Sequence, residues 1–183
     1  SSEGARGGKP VVVVGGACVD TQGVSTQRVI HGSSNPGVIR SAFGGVGRNI
    51  AETIARLGHP VHLHSVVGDD EAGKSIRAHC DTLSLLDSSG IRVINGVTSA
   101  QYLSLQNDEG DMVAAIADMA IFSYLTPESV REHVIANAAI VVVDGNLPTF
   151  TLRHITQLAN KLGVPVFFEP TSVPKAVAAA EEG

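Results

Sequence analysis

The run Ser41-Ala42-Phe43-Gly44-Gly45-Val46-Gly47-Arg48-Asn49 sets three glycines and an asparagine between an extended segment and an amphipathic helix. Without a Cβ, glycine lets backbone N–H groups come close to a bound oxygen, and a helix starting there adds a partial positive charge. The pattern predicts a cradle for a polar ligand. Asn49 lies at the start of the helical pattern and offers both a donor and an acceptor, which suits a polyol better than a bare phosphate. A glycine-rich turn that merely starts a helix is the plain alternative.

Further polar groups fall just past strand-like runs. Val11–Val14 leads through small residues to Asp20, and the other runs are followed by Gly68-Asp69, Asp144-Gly145-Asn146 and Glu169-Pro170. In a parallel sheet ligands bind beyond the carboxyl ends of the strands, so four such ends predict one polar edge. Any single member also reads as a turn or helix cap.

The elements that position these groups alternate. Short β-branched runs at 11–14, 61–67, 140–143 and 165–168 read as buried strands. Helical periodicity appears at 47–57, 70–83, 127–137 and 149–162, with another helix starting near Val173. Strands alternating with helices predict an α/β/α three-layer, Rossmann-like parallel sheet. Two interruptions break the alternation: polar extended segments at 24–30 and 38–43, then three extended runs at 91–94, 99–106 and 111–117. They predict a small antiparallel β lid built from about 21–43 and 91–118, outside the main sheet. Residues 1–8 are small, polar and glycine-rich and read as a flexible leader.

With 43% hydrophobic and 17% charged residues, the 183-residue chain has the composition of one globular domain. A net charge of −5 with scattered basic residues gives no field for a phosphate backbone, so nucleic acid is not an expected partner. No membrane-spanning run occurs, and Cys18 and Cys80 read as reduced, near-core thiols of a cytoplasmic protein; an organelle signal ahead of the chain is left open. No set of residues has the spacing of metal ligands. Gly68-Asp69-Asp70-Glu71-Ala72-Gly73-Lys74-Ser75 matches the Walker A pattern letter for letter. Three consecutive acids inside the phosphate wrap would repel the ligand, so a P-loop NTPase is the weaker alternative.

The glycine cradle, the strand ending at Asp20 and Val66-Val67-Gly68-Asp69-Asp70 together resemble the amino-terminal half of the PfkB, ribokinase-like carbohydrate and nucleoside kinases, from about Lys9 onward. The stretches Val113–Met119 and Phe168–Lys175 are most similar to the pseudouridine kinase branch. The resemblance implies a ribokinase-like fold whose carboxyl-terminal part lies outside these residues. It implies ATP and Mg²⁺ as cofactors of the full-length protein, a small sugar or nucleoside as substrate, and a homodimer joined through the lid. It assigns Asp20, Gly44, Gly45 and Asn49 to the substrate, with Asp118 and Asn146 as further substrate contacts and Glu169 on the phosphate side.

It also shows what is missing. The family's base and anion hole come from a Gly-Ala-Gly-Asp type loop and an Asn-x-x-Glu motif, whereas here no aspartate follows Asp144 and only Gly163 and Gly183 follow Gly145. The expectation is therefore a kinase fragment without a catalytic residue of its own, the full protein converting pseudouridine to pseudouridine 5′-phosphate. A non-catalytic sugar-binding or dimerisation module is the alternative from a different class.

Overall fold

The computed structural model describes residues 8–181; of the expected leader, residues 1–7 lie outside it. Strands β1 (Val11–Val14), β4 (Val61–Gly68), β5 (Leu86–Asp87), β6 (Ile91–Ile94), β9 (Ile140–Asp144) and β10 (Val166–Glu169) form the main sheet. Its order is β10-β9-β1-β4-β5, with β6 also pairing β4, and every pair is parallel. Val11 is in register with both Val61 and Ile140, so the central strands bring their carboxyl ends to a common edge.

Because alternate residues of a strand face opposite ways, each valine run feeds two cores. Val12, Val14, Val141 and Val143 pack with Ile121, Leu125, Ile135 and Ile155 on one face. Val13, Leu63, Val67 and Val142 pack with Ala51, Ile76 and Cys80 on the other. Helices α1 (Val46–Arg56) and α2 (Glu71–Asp81) cover the second face; α3 (Glu132–Ala136) and α4 (Thr149–Lys161) cover the first, and α5 (Val173–Glu181) follows β10. Each fully buried valine or leucine contributes about 1.5–3 kcal/mol, so the three-layer core is held by residues the hydrophobic pattern marks. Both cysteines are free thiols buried in it. Among the described residues no helix is long and apolar enough to cross a membrane.

The second sheet is the lid, in the order β3-β2-β7-β8, from β2 (Cys18–Ser25), β3 (Gly37–Gly44), β7 (Gln101–Gln106) and β8 (Met112–Asp118). Its two hairpins are antiparallel, but they meet along β2 and β7, which pair in parallel, so the sheet is mixed. Two boundaries differ from expectation. The first lid strand begins at Cys18 rather than in the twenties, because Gly15-Gly16 ends β1 and the chain turns into a new strand almost at once. Residues 27–35 form the connection, tied by Asn35, whose Oδ1 accepts from the Ile30 N–H at 2.7 Å. Ile91–Ile94 is not in the lid: it pairs with Ser65–Gly68 and extends the main sheet, since β5 covers only the first two residues of β4 and leaves its far half open.

The expected helix over 127–137 also divides. A single 3-10 turn at Pro127–Ser129 ends at Val130, whose φ of −130° and ψ of 118° are extended, and α3 starts afresh after Arg131.

Candidate functional site

The polar edge is organised around Asp144 at the end of β9. Its side chain is 1% exposed; Oδ2 accepts the N–H groups of Gly16 and Gly47, each at 2.8 Å, and Oδ1 accepts that of Asn146 at 2.8 Å. Burial pushes its pKa above the ordinary aspartate value, while the backbone donors pull the other way. One carboxylate thus ties the end of β1, the start of α1 and the end of β9. The glycines serve that approach: a Cβ on Gly47 would stand 2.7 Å from the Gly15 backbone. The first turn of α1 therefore spends its Gly47 N–H on Asp144 and its Arg48 N–H on the Gly16 carbonyl, rather than on a ligand phosphate.

Asp20 stands beside this knot, though not at the end of β1. It sits in lid strand β2, in register with Ala42 and Tyr102, at the root of the lid. Its carboxylate lies over Gly44, where a Cβ would come within 2.5 Å of Asp20 Cγ. Gly45 follows as the residue that caps α1, with φ 92°; a Cβ there would stand 2.5 Å from Ala17 Cα. Asn49 comes one turn later, its N–H donating to the Gly45 carbonyl at 2.9 Å, and its side chain is exposed. The structure thus sets the Asp20 carboxylate over Gly44 where the lid leaves the sheet, with Gly45 next in the chain and Asn49 one helical turn on. Cys18 Sγ donates to Asp20 Oδ1 at 3.1 Å; burial and the adjacent carboxylate push its thiol up to about 12, leaving it protonated and unreactive.

The remaining candidates are less well placed. Asn146 belongs to the edge: Oδ1 accepts from Lys175 Nζ at 2.5 Å, and Nδ2 borders Gly16. Glu169 Oε2 accepts from the Thr171 N–H at 2.9 Å and its hydroxyl at 3.2 Å, capping a turn in which Thr171 adopts φ 66°. Asp118 does not join Asp20. It pairs with Gln101, which pairs with Val19, and paired residues share a face, so it belongs to the face opposite Asp20, Tyr102 and Ala117. The odd offset in register, invisible without the pairing, is the cause. Gly68-Asp69 lies at the same sheet edge, where Asp69 Oδ1 accepts from the Gly96 N–H at 3.1 Å in a loop contact.

The Walker A look-alike is occupied by its own carboxylate. Asp70 caps α2, Oδ1 accepting from the Gly73 N–H at 2.9 Å and from Ser99 Oγ at 2.5 Å, while Oδ2 accepts from the Ser99 N–H at 2.8 Å. Ser99 Oγ in turn accepts from the Gly68 N–H at 2.8 Å. The Gly68 and Gly73 N–H groups, two of the donors such a loop would offer a phosphate, are thus taken by side chains of the chain itself. Lys74 is exposed and pairs with Glu71, at 3.8 Å.

Sequence reasoning passed over Arg48. It is 4% exposed; Nε donates to the Gly44 carbonyl at 2.9 Å, and one terminal nitrogen to the Phe43 carbonyl at 2.8 Å. That nitrogen also donates to Asn49 Oδ1, and the other to Glu52. Glu52 further accepts from Arg56 Nε at 2.8 Å and from His79 Nε2 at 3.0 Å, and the His79 contact above all holds its carboxyl down at about 2. The His79 ring stacks on Phe43, centroids 4.7 Å apart. Arginine inside an amphipathic helix ordinarily reads as surface, and the only hint was its place between the glycines and Asn49.

Residues 9–182 match the family described as pfkB family carbohydrate kinase. The chain belongs to the pfkB family. Among curated pfkB relatives it is 38% identical over 174 residues to the pseudouridine kinase of Escherichia coli, covering 91% of this chain and 53% of that protein. It is 29% identical to the pseudouridine kinase of Arabidopsis thaliana, covering 90% of this chain and 43% of that one. Among solved structures, a carbohydrate kinase from Agrobacterium tumefaciens superposes with a TM-score of 0.84 at 29% identity, over 94% of this chain and 57% of that one. The pfkB chain described here thus spans about half the length of these relatives. Among its described residues no group of three or more His, Cys, Asp or Glu side chains is placed to hold a metal ion.

Proposed function

We propose that the protein containing this chain is a cytoplasmic nucleoside kinase that transfers the γ-phosphoryl group of ATP to the 5′ hydroxyl of pseudouridine, and that these residues supply its substrate half. The observation that supports this reading is the Asp20 carboxylate lying over Gly44 at the lid root, beside the glycine turn that starts the helix of Asn49, in a chain with a pfkB match over residues 9–182. The two pseudouridine kinases among the relatives support the choice of substrate. In the reaction the hydroxyl oxygen bonds to the γ-phosphorus, the bond to the bridging oxygen breaks, ADP leaves, and the hydroxyl proton passes to a base. That base, the anion hole and the magnesium ion belong to residues beyond these. Asp20 accepts from sugar hydroxyls, Asn49 reaches them from α1, and Asn146 borders the phosphate path. Glu169, spent on its own turn, and Asp118, on the far face of the lid, are not assigned to the ligand.

Calorimetric titration of pseudouridine into the complete protein tests this. Asp20→Ala is expected to weaken binding by about 1.5–3 kcal/mol, because a charge-assisted hydrogen bond is lost, and Asn49→Ala by about 1–2 kcal/mol. Unchanged affinity in both variants would remove these residues from the site. ATP binding that depends on Lys74 and ignores Asp20 would favour the P-loop reading.

A partner reading rests on the far face of the lid, where Ile39 is 77% exposed and Ile116 67%, with Leu103 and Leu105 between them. A small sheet with an apolar open face invites a second sheet. Two copies packing lid to lid would cover it, and light scattering should report a dimer that Ile39→Ser with Ile116→Ser converts to monomer. A wild-type monomer at high concentration would end this reading.

A further inference from the structure

We infer that Arg48 is a positioning residue that turns Asn49 into a one-way hydrogen-bond donor, so that a ligand hydroxyl meeting Asn49 must accept from it. The inference rests on the proposed polyol site and adds how its asparagine is oriented. A guanidinium carries five N–H donors and no acceptor, so the side-chain amide facing it must present oxygen. Arg48 faces Asn49 Oδ1, which leaves both Nδ2 protons for the solvent side, where Asn49 is exposed. The guanidinium cannot swing away, because the Phe43 and Gly44 carbonyls hold it at 2.8 and 2.9 Å and Glu52 holds its far nitrogen.

Behind Glu52 stand Arg56 and His79, and His79 is clamped against Phe43 by ring stacking. The two carbonyls that hold Arg48 belong to the end of β3, where the lid joins the glycine turn beside Asp20. The Asp20 carboxylate accepts; Asn49, turned by Arg48, donates. A ligand hydroxyl that meets Asp20 donates its O–H, and one that meets Asn49 accepts from Nδ2. Arg48 thereby acts on selectivity without touching the ligand.

The test uses the complete protein and two probes, pseudouridine and its 2′,3′-dideoxy analogue, titrated by calorimetry against wild type, Asn49→Ala, Arg48→Met and the double variant. The wild type should prefer the diol, and Asn49→Ala and Arg48→Met should each narrow that preference by about tenfold. The double variant should narrow it no further than either single one, because both act through one hydrogen bond. Should Arg48→Met fail to fold, Arg48→Lys keeps a cation beside Glu52 but cannot also reach both carbonyls and Asn49, and a narrowing of about threefold is expected. Equal weakening of both probes, or additive effects in the double variant, would reduce Arg48 to scaffolding and overturn the inference alone. Wild-type protein that binds neither probe would overturn the functional reading beneath it.

Discussion

The 183-residue chain, given ATP, magnesium ion and pseudouridine, should release no measurable pseudouridine 5′-phosphate, while the complete protein turns over. General-base assistance contributes about 10²–10⁴-fold, and preorganised donors around the transferring group about as much again. The carboxylates on this sheet edge cannot stand in for the base. Asp144 is the obvious substitute, at a strand end facing the glycine cradle, but it is buried and both its oxygens accept backbone N–H groups. Asp70 is held by Gly73 and Ser99 in the same way. Asp20 lies in strand β2 at the lid root, with Cys18 donating to one of its oxygens. A coupled assay for ADP and nucleotide product checks this. Turnover by the isolated chain that disappears in Asp20→Ala would show that the chemistry sits at the lid root after all.

Asp144→Asn should destabilise the fold by about 2–4 kcal/mol and lower the melting temperature by roughly 5–15 °C. The substitution preserves shape, so the loss isolates hydrogen bonding. In the native side chain one oxygen serves Gly16 and Gly47 and the other serves Asn146. An amide can offer only one oxygen, so its NH₂ must face at least one backbone N–H inside a dry pocket, donor against donor. Asp69→Asn is the control: its residue is exposed and its Oδ1 accepts from the Gly96 N–H at 3.1 Å. That variant should melt within about 1–2 °C of wild type. A melt of Asp144→Asn as mild as the control would mean that the knot of β1, α1 and β9 is held by packing alone.

The main sheet was legible because its strands are unbroken apolar runs, Val11–Val14 and Ile140–Val143, which only a sheet covered on both faces accommodates. Ile91–Ile94 was not. Its mixture of isoleucine, arginine and valine is that of a half-exposed strand, and such a strand is chemically alike whether it edges the main sheet or lies in a lid. The neighbourhood of the proposed site was legible in part: glycines that tolerate close approach and an asparagine in a first helical turn carry local signatures, and the Asp20 carboxylate does lie over Gly44. The lid face of Asp118 was not legible because the face of a strand residue depends on pairing register, and Arg48 was passed over because burial of a guanidinium depends on carbonyls from another element.

The parallel pairing of β2 with β7 bears on the order in which the molecule assembles. Val19 meets Gln101 and Val24 meets Gln106, so about eighty residues, including β3, α1, β4 and α2, separate the positions that pair across the two hairpins. Each hairpin can form early by itself, but a two-stranded ribbon is marginal in water. Closing a loop of that size costs entropy that the ribbon's own contacts do not repay, and it becomes favourable once β1, β4 and β6 have docked and carried the two roots together. During synthesis the first hairpin must therefore wait, edges open, until the segment through residue 106 has emerged. That interval is when this chain is most exposed to mispairing, and a holdase able to shelter strand edges would act on it there.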